Sequence, residues 1–200
     1  MSLIYQGQEI GMTNVRFPGI EDYNDVSAKN MYALELAKGK PHEAIMEPIW
    51  QNGRDNSRTP MQWDDSPQAG FTKGAPWLKV NPNYGRINVK AQAGDPNSVF
   101  SYYQSLIRLR KAHPVAVYGR YDLILPRHKQ IYAYTRTLAQ ETLLVIVNMF
   151  PEEAMLRLPP GLEIKQARLL LSNYEEHGLK RLRRILLRPH EARVYLLHAE

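Results

Sequence analysis

Apolar and polar positions follow two rhythms along this chain, and the change comes near residue 114. In the first part the period is helical. Ser27 is placed to cap a helix with Met31 and Leu34 on one face, and Gly39 is placed to end it. A second helix is expected around residues 43–51, burying Ile45, Ile49 and Trp50, with Pro48 as an interruption. Asp95-Pro96-Asn97-Ser98 supplies a cap followed by proline at the first helical position. An apolar stripe of Val99, Tyr102, Tyr103, Leu106 and Leu109 then runs to His113-Pro114. Beyond that point the period becomes two. Residues 121–125, 130–137, 142–149, 167–172 and 192–197 read as strands separated by turns, which predicts a small antiparallel sandwich. Tyr132, Tyr134 and Tyr195 sit on alternating strand positions, equally suited to a core or to an exposed face. Residues 53–95 show little periodicity and many Gly, Pro and Asn. A stretch of that length inside a compact unit is usually functional. Thr13 to Asp25 reads as a loop turning at Pro18-Gly19. The chain opens on a strand-like run, Leu3-Ile4-Tyr5, and an opening in mid-strand is expected of a fragment.

Composition narrows the classes. At 44% hydrophobic and 23% charged, the chain has the make-up of an ordinary globular protein. Two hundred residues suffice for one large domain, or one small domain and part of another. With no cysteine, disulfide scaffolds and thiolate metal sites are excluded, and none of the six histidines is spaced from another as paired metal ligands would be. No metal or cofactor is expected. Apolar runs such as Leu143 to Val147 fall far short of the roughly 20 residues that span a bilayer. The N-terminus lacks the charge and apolar pattern of a signal peptide, so a cytoplasmic protein without a membrane partner is expected. The net charge of +6 includes one cluster, Lys180-Arg181-Leu182-Arg183-Arg184. Without a recognisable module around it, this cluster reads as a solvated strand and turn rather than a nucleic-acid surface.

The candidate chemistry is concentrated in Gly53-Arg54-Asp55-Asn56-Ser57-Arg58-Thr59-Pro60-Met61-Gln62-Trp63-Asp64. Two arginines at an i, i+4 spacing stand beside Asp, Asn, Thr and Trp, the residue types that grip a sugar. Guanidinium forks bridge carboxylates and hydroxyls in fixed geometry, and an indole offers a flat apolar face to a pyranose ring. A charged surface loop has the same composition, and the residues alone leave both readings open.

This string resembles the R-D-N-x-R-T-P-M-Q-W-D signature of bacterial α-glucosidases in the α-amylase superfamily, close to the oligo-1,6-glucosidases. Ile4 to Asn14 resembles the strand-eight motif of that group. Further similarity runs through Asn81-Pro82-Asn83-Tyr84, Ile87-Asn88-Val89, Leu106 to Lys111, Tyr121 to Leu125 and Leu187 to Ala192. The resemblance implies the last βα unit of a (β/α)₈ TIM barrel, then an all-β C-terminal domain: strand eight near residues 3–6, a long loop over 7–95, helix eight over 96–112 and an antiparallel β-sandwich over 116–198. The domain boundary is expected between residues 1–113 and 114–200. Active sites of such barrels lie at the C-terminal ends of the strands, which puts the loop with Arg54 and Arg58 on the catalytic face.

Retaining glycosidases need two carboxylates roughly 5–5.5 Å apart across the scissile bond. In this family they follow strands four and five, with a stabilising Asp after strand seven, and none of those motifs occurs here. The resemblance therefore implies the C-terminal third of a glucosidase, inactive alone, whose partner is the remaining N-terminal barrel. On the substrate side, Arg58 looks like the arginine that reaches the 4-hydroxyl region of a terminal glucose; its bland alternative is an ion pair that pins the loop. Arg54 and Asp55 are candidate substrate contacts or loop braces. Glu21-Asp22-Tyr23-Asn24-Asp25 resembles a loop bordering the aglycone side, which adds Asp25. Trp63 and Met61 are expected as core beneath the loop, and Glu9 as an ion-pair partner. Lys29, Tyr84 and Arg86 read as solvated surface. The substrates implied are isomaltose-like oligosaccharides or, alternatively, trehalose 6-phosphate. A non-catalytic carbohydrate-binding or assembly module is the third reading.

Overall fold

The computed structural model describes residues 3–162, 164, 166–175 and 182–198. Lys180, Arg181 and the first two residues lie outside this range. Contacts divide the chain into two units, Met1–Tyr103 and Gln104–Glu200.

In the first unit, α1 (Val26–Ala37) and α2 (His42–Asn52) enclose a core of Val15, Phe17, Tyr23, Ala28, Met46 and Ile49. The cap of α1 is Asp25, not Ser27: the Asp25 carboxylate accepts from the Ser27 amide at 3.0 Å. An aspartate at this position satisfies a free amide and meets the positive end of the helix. Gly39, at φ 81, closes α1 as expected. Helix α2 continues through Pro48 and buries Ile45, Met46 and Ile49. The Tyr23 hydroxyl accepts from the Phe17 amide at 3.1 Å, which fastens the preceding loop to the core. Leu3, Ile4 and Tyr5 form no strand. A strand is held by a neighbour's ladder, and the described residues provide none there.

The long segment after α2 is a series of short 3-10 turns at Arg54–Ser57, Pro67–Gly70 and Pro82–Gly85, followed by α3 (Val89–Gln92). Its missing periodicity is replaced by side-chain amides. Asn81 Nδ2 donates to the Thr13 carbonyl at 2.9 Å, and Asn88 caps α3 by accepting from the Ala91 amide at 2.7 Å. The fully buried Gln62 donates to the carbonyl of Ile87 at 2.5 Å. Helix α4 (Val99–Ala112) begins three residues later than Pro96 predicts. Ser98 Oγ accepts from the Ser101 amide at 3.1 Å and is the working cap, while Asp95 holds the turn before it.

In the second unit, α5 (Val115–Tyr118) precedes an antiparallel sheet of β1 (Arg120–Leu123), β2 (Ile131–Leu138), β3 (Glu141–Asn148), β5 (Gln166–Ser172) and β7 (Ala192–His198), in the order β1-β2-β3-β7-β5. A second sheet pairs β4 (Ala154–Arg157) with β6 (Arg184–Leu187). Ala154, Leu156, Ile185 and Leu187 from this pair pack on Ile131, Ala133, Leu144, Ile146, Tyr195 and Leu197 of the larger sheet. The predicted sandwich is thus formed. Strands β4 and β6 are additions to the sequence expectation; they pair with each other and are held by the larger sheet they pack on. Tyr195 is core, whereas Tyr132 is exposed and joins Tyr121 and Tyr134 in a tilted ring cluster. The fully buried Glu191 accepts from Arg188 Nη2 at 2.9 Å and from Arg193 Nε at 2.6 Å, bracing the entry to β7. Among the described residues no helix is long and apolar enough to cross a membrane.

Candidate functional site

The structure brings the four candidate residues Arg54, Asp55, Arg58 and Asp25 into one network in the first unit. The turn Arg54–Ser57 follows on α2, whose Ile49 carbonyl accepts from the Gly53 amide at 2.8 Å and whose Trp50 carbonyl accepts from Asn56 Nδ2 at 3.0 Å. Asn56 Oδ1 in turn accepts from the Val15 amide at 3.0 Å, and Asn14 donates to the carbonyls of Trp50 and Gln51. These two asparagines cross-brace the turn against the N-terminal loop, a role the sequence did not announce.

Within the turn, Arg54 reaches back to the start of α1. Its Nε donates to Asp25 Oδ2 at 3.0 Å and its Nη2 to Asp25 Oδ1 at 2.5 Å, with a further bond to Ser27 Oγ at 2.9 Å. This two-pronged pairing and the Ser27 amide hold the Asp25 carboxyl down at about 2, Arg54 being the largest cause. The same pairing raises Arg54 above its ordinary range. Asp55 is 1% exposed and has both oxygens engaged. Oδ2 accepts from the amides of Asn24 (2.6 Å) and Asp25 (2.8 Å), and Oδ1 accepts from Arg58 Nη1 at 3.1 Å. Arg58 presents a different state. Its side chain is 35% exposed, and among the described residues the one carboxylate it meets is that of Asp55, through a single nitrogen. A guanidinium carries five N–H donors, so most of this fork is open to a ligand.

A cleft of about 270 Å³ lies beside the turn, lined by Tyr5, Gln6, Gln8, Asn14, Ser57 and Thr59 among others. Ser57 and Thr59 flank Arg58, but Arg58 is not in the lining. The lining is uncharged, and apart from Gly7 and Met12 its side chains can hydrogen-bond. Met61 is buried as expected. Trp63 is not: it is 50% exposed. The amides of Trp63 and Asp64 both donate to the Ala69 carbonyl, at 2.9 and 3.2 Å, which turns the chain back before the indole reaches the core. That tight return holds Gln68 (φ 56) and Ala69 (φ 54) in the left-handed region, a strained conformation for residues with a Cβ and one that no sequence signal marked. Glu9 makes no ion pair within 4 Å among the described residues, and one of its buried oxygens has no hydrogen-bond partner there. Lys29 and Arg86 are exposed, whereas Tyr84 is half-buried. No three His, Asp or Glu side chains among the described residues gather closely enough to hold a metal ion.

Residues 1–119 match the α-amylase catalytic domain. The chain belongs to the α-amylase family. Residues 121–194 match the maltogenic amylase C-terminal domain. Over 193 residues, 96% of the chain, it is 56% identical to an oligo-1,6-glucosidase of Parageobacillus thermoglucosidasius and covers 34% of that protein. It is 43% identical over 196 residues to a trehalose-6-phosphate hydrolase of Bacillus subtilis, covering 97% of the chain and 35% of the relative. Among solved structures, the trehalose-6-phosphate hydrolase of Bacillus licheniformis superposes with a TM-score of 0.94 at 41% identity, over 98% of this chain and 36% of that one. The isomaltulose synthase of Erwinia rhapontici gives 0.88 at 42% identity, over 98% and 35%. This α-amylase family chain therefore spans about a third of the length of the relatives it matches. The helix-rich first part agrees with the end of a (β/α)₈ barrel, and the antiparallel second part with the C-terminal domain of the family.

Proposed function

We propose that this chain is the substrate-holding C-terminal third of a retaining, exo-acting α-glucosidase that hydrolyses terminal α-1,6 bonds of short gluco-oligosaccharides. The unequal state of its two motif arginines carries the reading. Arg54 commits Nε and Nη2 to Asp25 and Ser27 in a two-pronged pairing, as a brace would. Arg58 keeps most of its donors open on a rigid turn, as a residue that grips sugar hydroxyls must. Identity of 56% to a protein named oligo-1,6-glucosidase supports α-1,6 linkage over the trehalose 6-phosphate alternative, for which the corresponding figure is 43%.

In this reading residues 1–113 close the barrel and residues 114–200 form the C-terminal domain. Arg54, Asp55 and Asp25 set the wall of the site from which Arg58 meets the non-reducing glucose. The nucleophile and the general acid/base come from the upstream portion of the enzyme, so the chain is inactive alone.

The test is hydrolysis of an aryl α-glucoside by the 200-residue chain, and by a chimera joining it to the upstream two thirds of the Parageobacillus relative. The chain alone should release no nitrophenol above background. The chimera should turn over and prefer isomaltose to trehalose 6-phosphate. Turnover by the chain alone would sink the reading, and preference for trehalose 6-phosphate would transfer it to the phosphorylated substrate.

A further inference from the structure

We infer that Asp55 is a positioning residue that couples Arg58 to the segment leading into α1, so that the sugar-binding side chain and the aglycone-side loop are placed as one unit; this rests on the functional reading above. The geometry behind it is a relay through one buried carboxylate. Oδ1 of Asp55 takes Arg58 Nη1, and Oδ2 takes the amides of Asn24 and Asp25. Asp25 is locked onward by Arg54 and by its cap to Ser27. Four side chains and three backbone amides are thereby joined without a gap.

A carboxylate 1% exposed tolerates burial only with donors on its oxygens, and here three converge on it. Holding the loop needs only Oδ2. The second oxygen, turned toward Arg58, holds the end of a long side chain in one preferred placement. The loop amides fix where that oxygen sits. A shift in residues 24–25 therefore re-aims Arg58, and a change of loop sequence on the aglycone side reaches the glucose side through Asp55.

Asp55→Asn separates the two duties. Its carbonyl oxygen still accepts from Asn24 and Asp25, but its amino group faces the Arg58 guanidinium, donor against donor. In the chimeric full-length enzyme, Asp55→Asn should lower kcat/KM on isomaltose about 10- to 100-fold, mostly through KM, as expected for losing a hydrogen bond between charged groups. In an Arg58→Ala background the same change should cost less than about twofold. An equal cost in both backgrounds overturns the proposal, because Asp55 would then act independently of Arg58. If Arg58→Ala alone leaves kcat/KM unchanged, the assignment of Arg58 to substrate fails instead.

The loop side is read without activity, by amide hydrogen exchange in the 200-residue chain. Protection at Asn24 and Asp25 should fall at least about tenfold in Asp55→Ala and persist in Asp55→Asn. Protection unchanged in Asp55→Ala overturns the coupling. Should Asp55→Ala fail to fold, loss of protection at these two amides in Asp55→Asn overturns it equally.

Discussion

Replacing Asp25 by Asn should destabilise the first unit at neutral pH and do so progressively less as acid is added. The Asp25 carboxyl is held at about 2 by the Arg54 fork and the Ser27 amide, against an unfolded value of about 3.9. A folded value below the unfolded one favours the native state fully above pH ~4, and the benefit is lost as pH falls through ~2. The whole shift corresponds to about 2–3 kcal/mol. Arg54 is 59% exposed, so solvent screening trims the expected loss to about 1–2 kcal/mol. Asn is itself a good helix cap and can keep the bond to the Ser27 amide, which confines the loss to the ionic part. The released Arg54 returns to water and adds no stranded charge. At pH 2 the gap between wild type and variant should have shrunk to a small fraction of its neutral-pH size. The assay is urea unfolding followed by tryptophan fluorescence between pH 6 and pH 2. All three tryptophans, Trp50, Trp63 and Trp77, lie in the first unit, so the signal reports on the unit that contains Asp25. A gap that stays constant across this range, or widens as pH falls, would refute the reasoning.

Three further substitutions probe other parts of the molecule. Glu191→Ala leaves Arg193, 3% exposed, buried without its carboxylate, and should cost about 3–5 kcal/mol in thermal unfolding followed by far-UV circular dichroism. Leu156→Ala opens a cavity between the two sheets at a fully buried position; about 2–5 kcal/mol is expected by the same measurement, and a loss under about 1 kcal/mol would mean that β4 does not pack as described. Gly53→Ala would set a Cβ 2.5 Å from the Ile49 carbonyl oxygen, which already accepts the Gly53 amide. Its φ of −61° is ordinary, so the strain is steric alone, and a loss of about 1–3 kcal/mol should appear in the urea midpoint read by tryptophan fluorescence.

What the sequence made legible follows from the range of the forces involved. Helices α1, α2 and α4 and strands β2, β3 and β7 are each long enough for their period to be counted, and they appear within a few residues of where periodicity puts them. The sequence misplaces the caps by two or three positions, at Ser27 for Asp25 and at Asp95 for Ser98, because several residues in each place are chemically fit to cap and the surrounding contacts choose among them. Arg54 pulls Asp25 into the choice for α1, and Gln92, whose carbonyl accepts from Ser98 Oγ, does so for α4. Strands β4 and β6 are stabilised by the sheet they pack on, and Leu3–Tyr5 lacks any such neighbour among the described residues; neither fact is local. Trp63 fails as a core residue for a different reason, a tight local return in which its own amide and that of Asp64 both meet the Ala69 carbonyl. The site shows the limit most sharply. Arg54 and Arg58 are the same residue type four positions apart, and their sequence surroundings do not rank them. Only the fold separates them, by placing Asp25 and Ser27 within reach of one and turning the other onto a single oxygen of Asp55. On the proposed reading, the capacity to bind a sugar lies less in the arginines themselves than in which of their donors the loop leaves open.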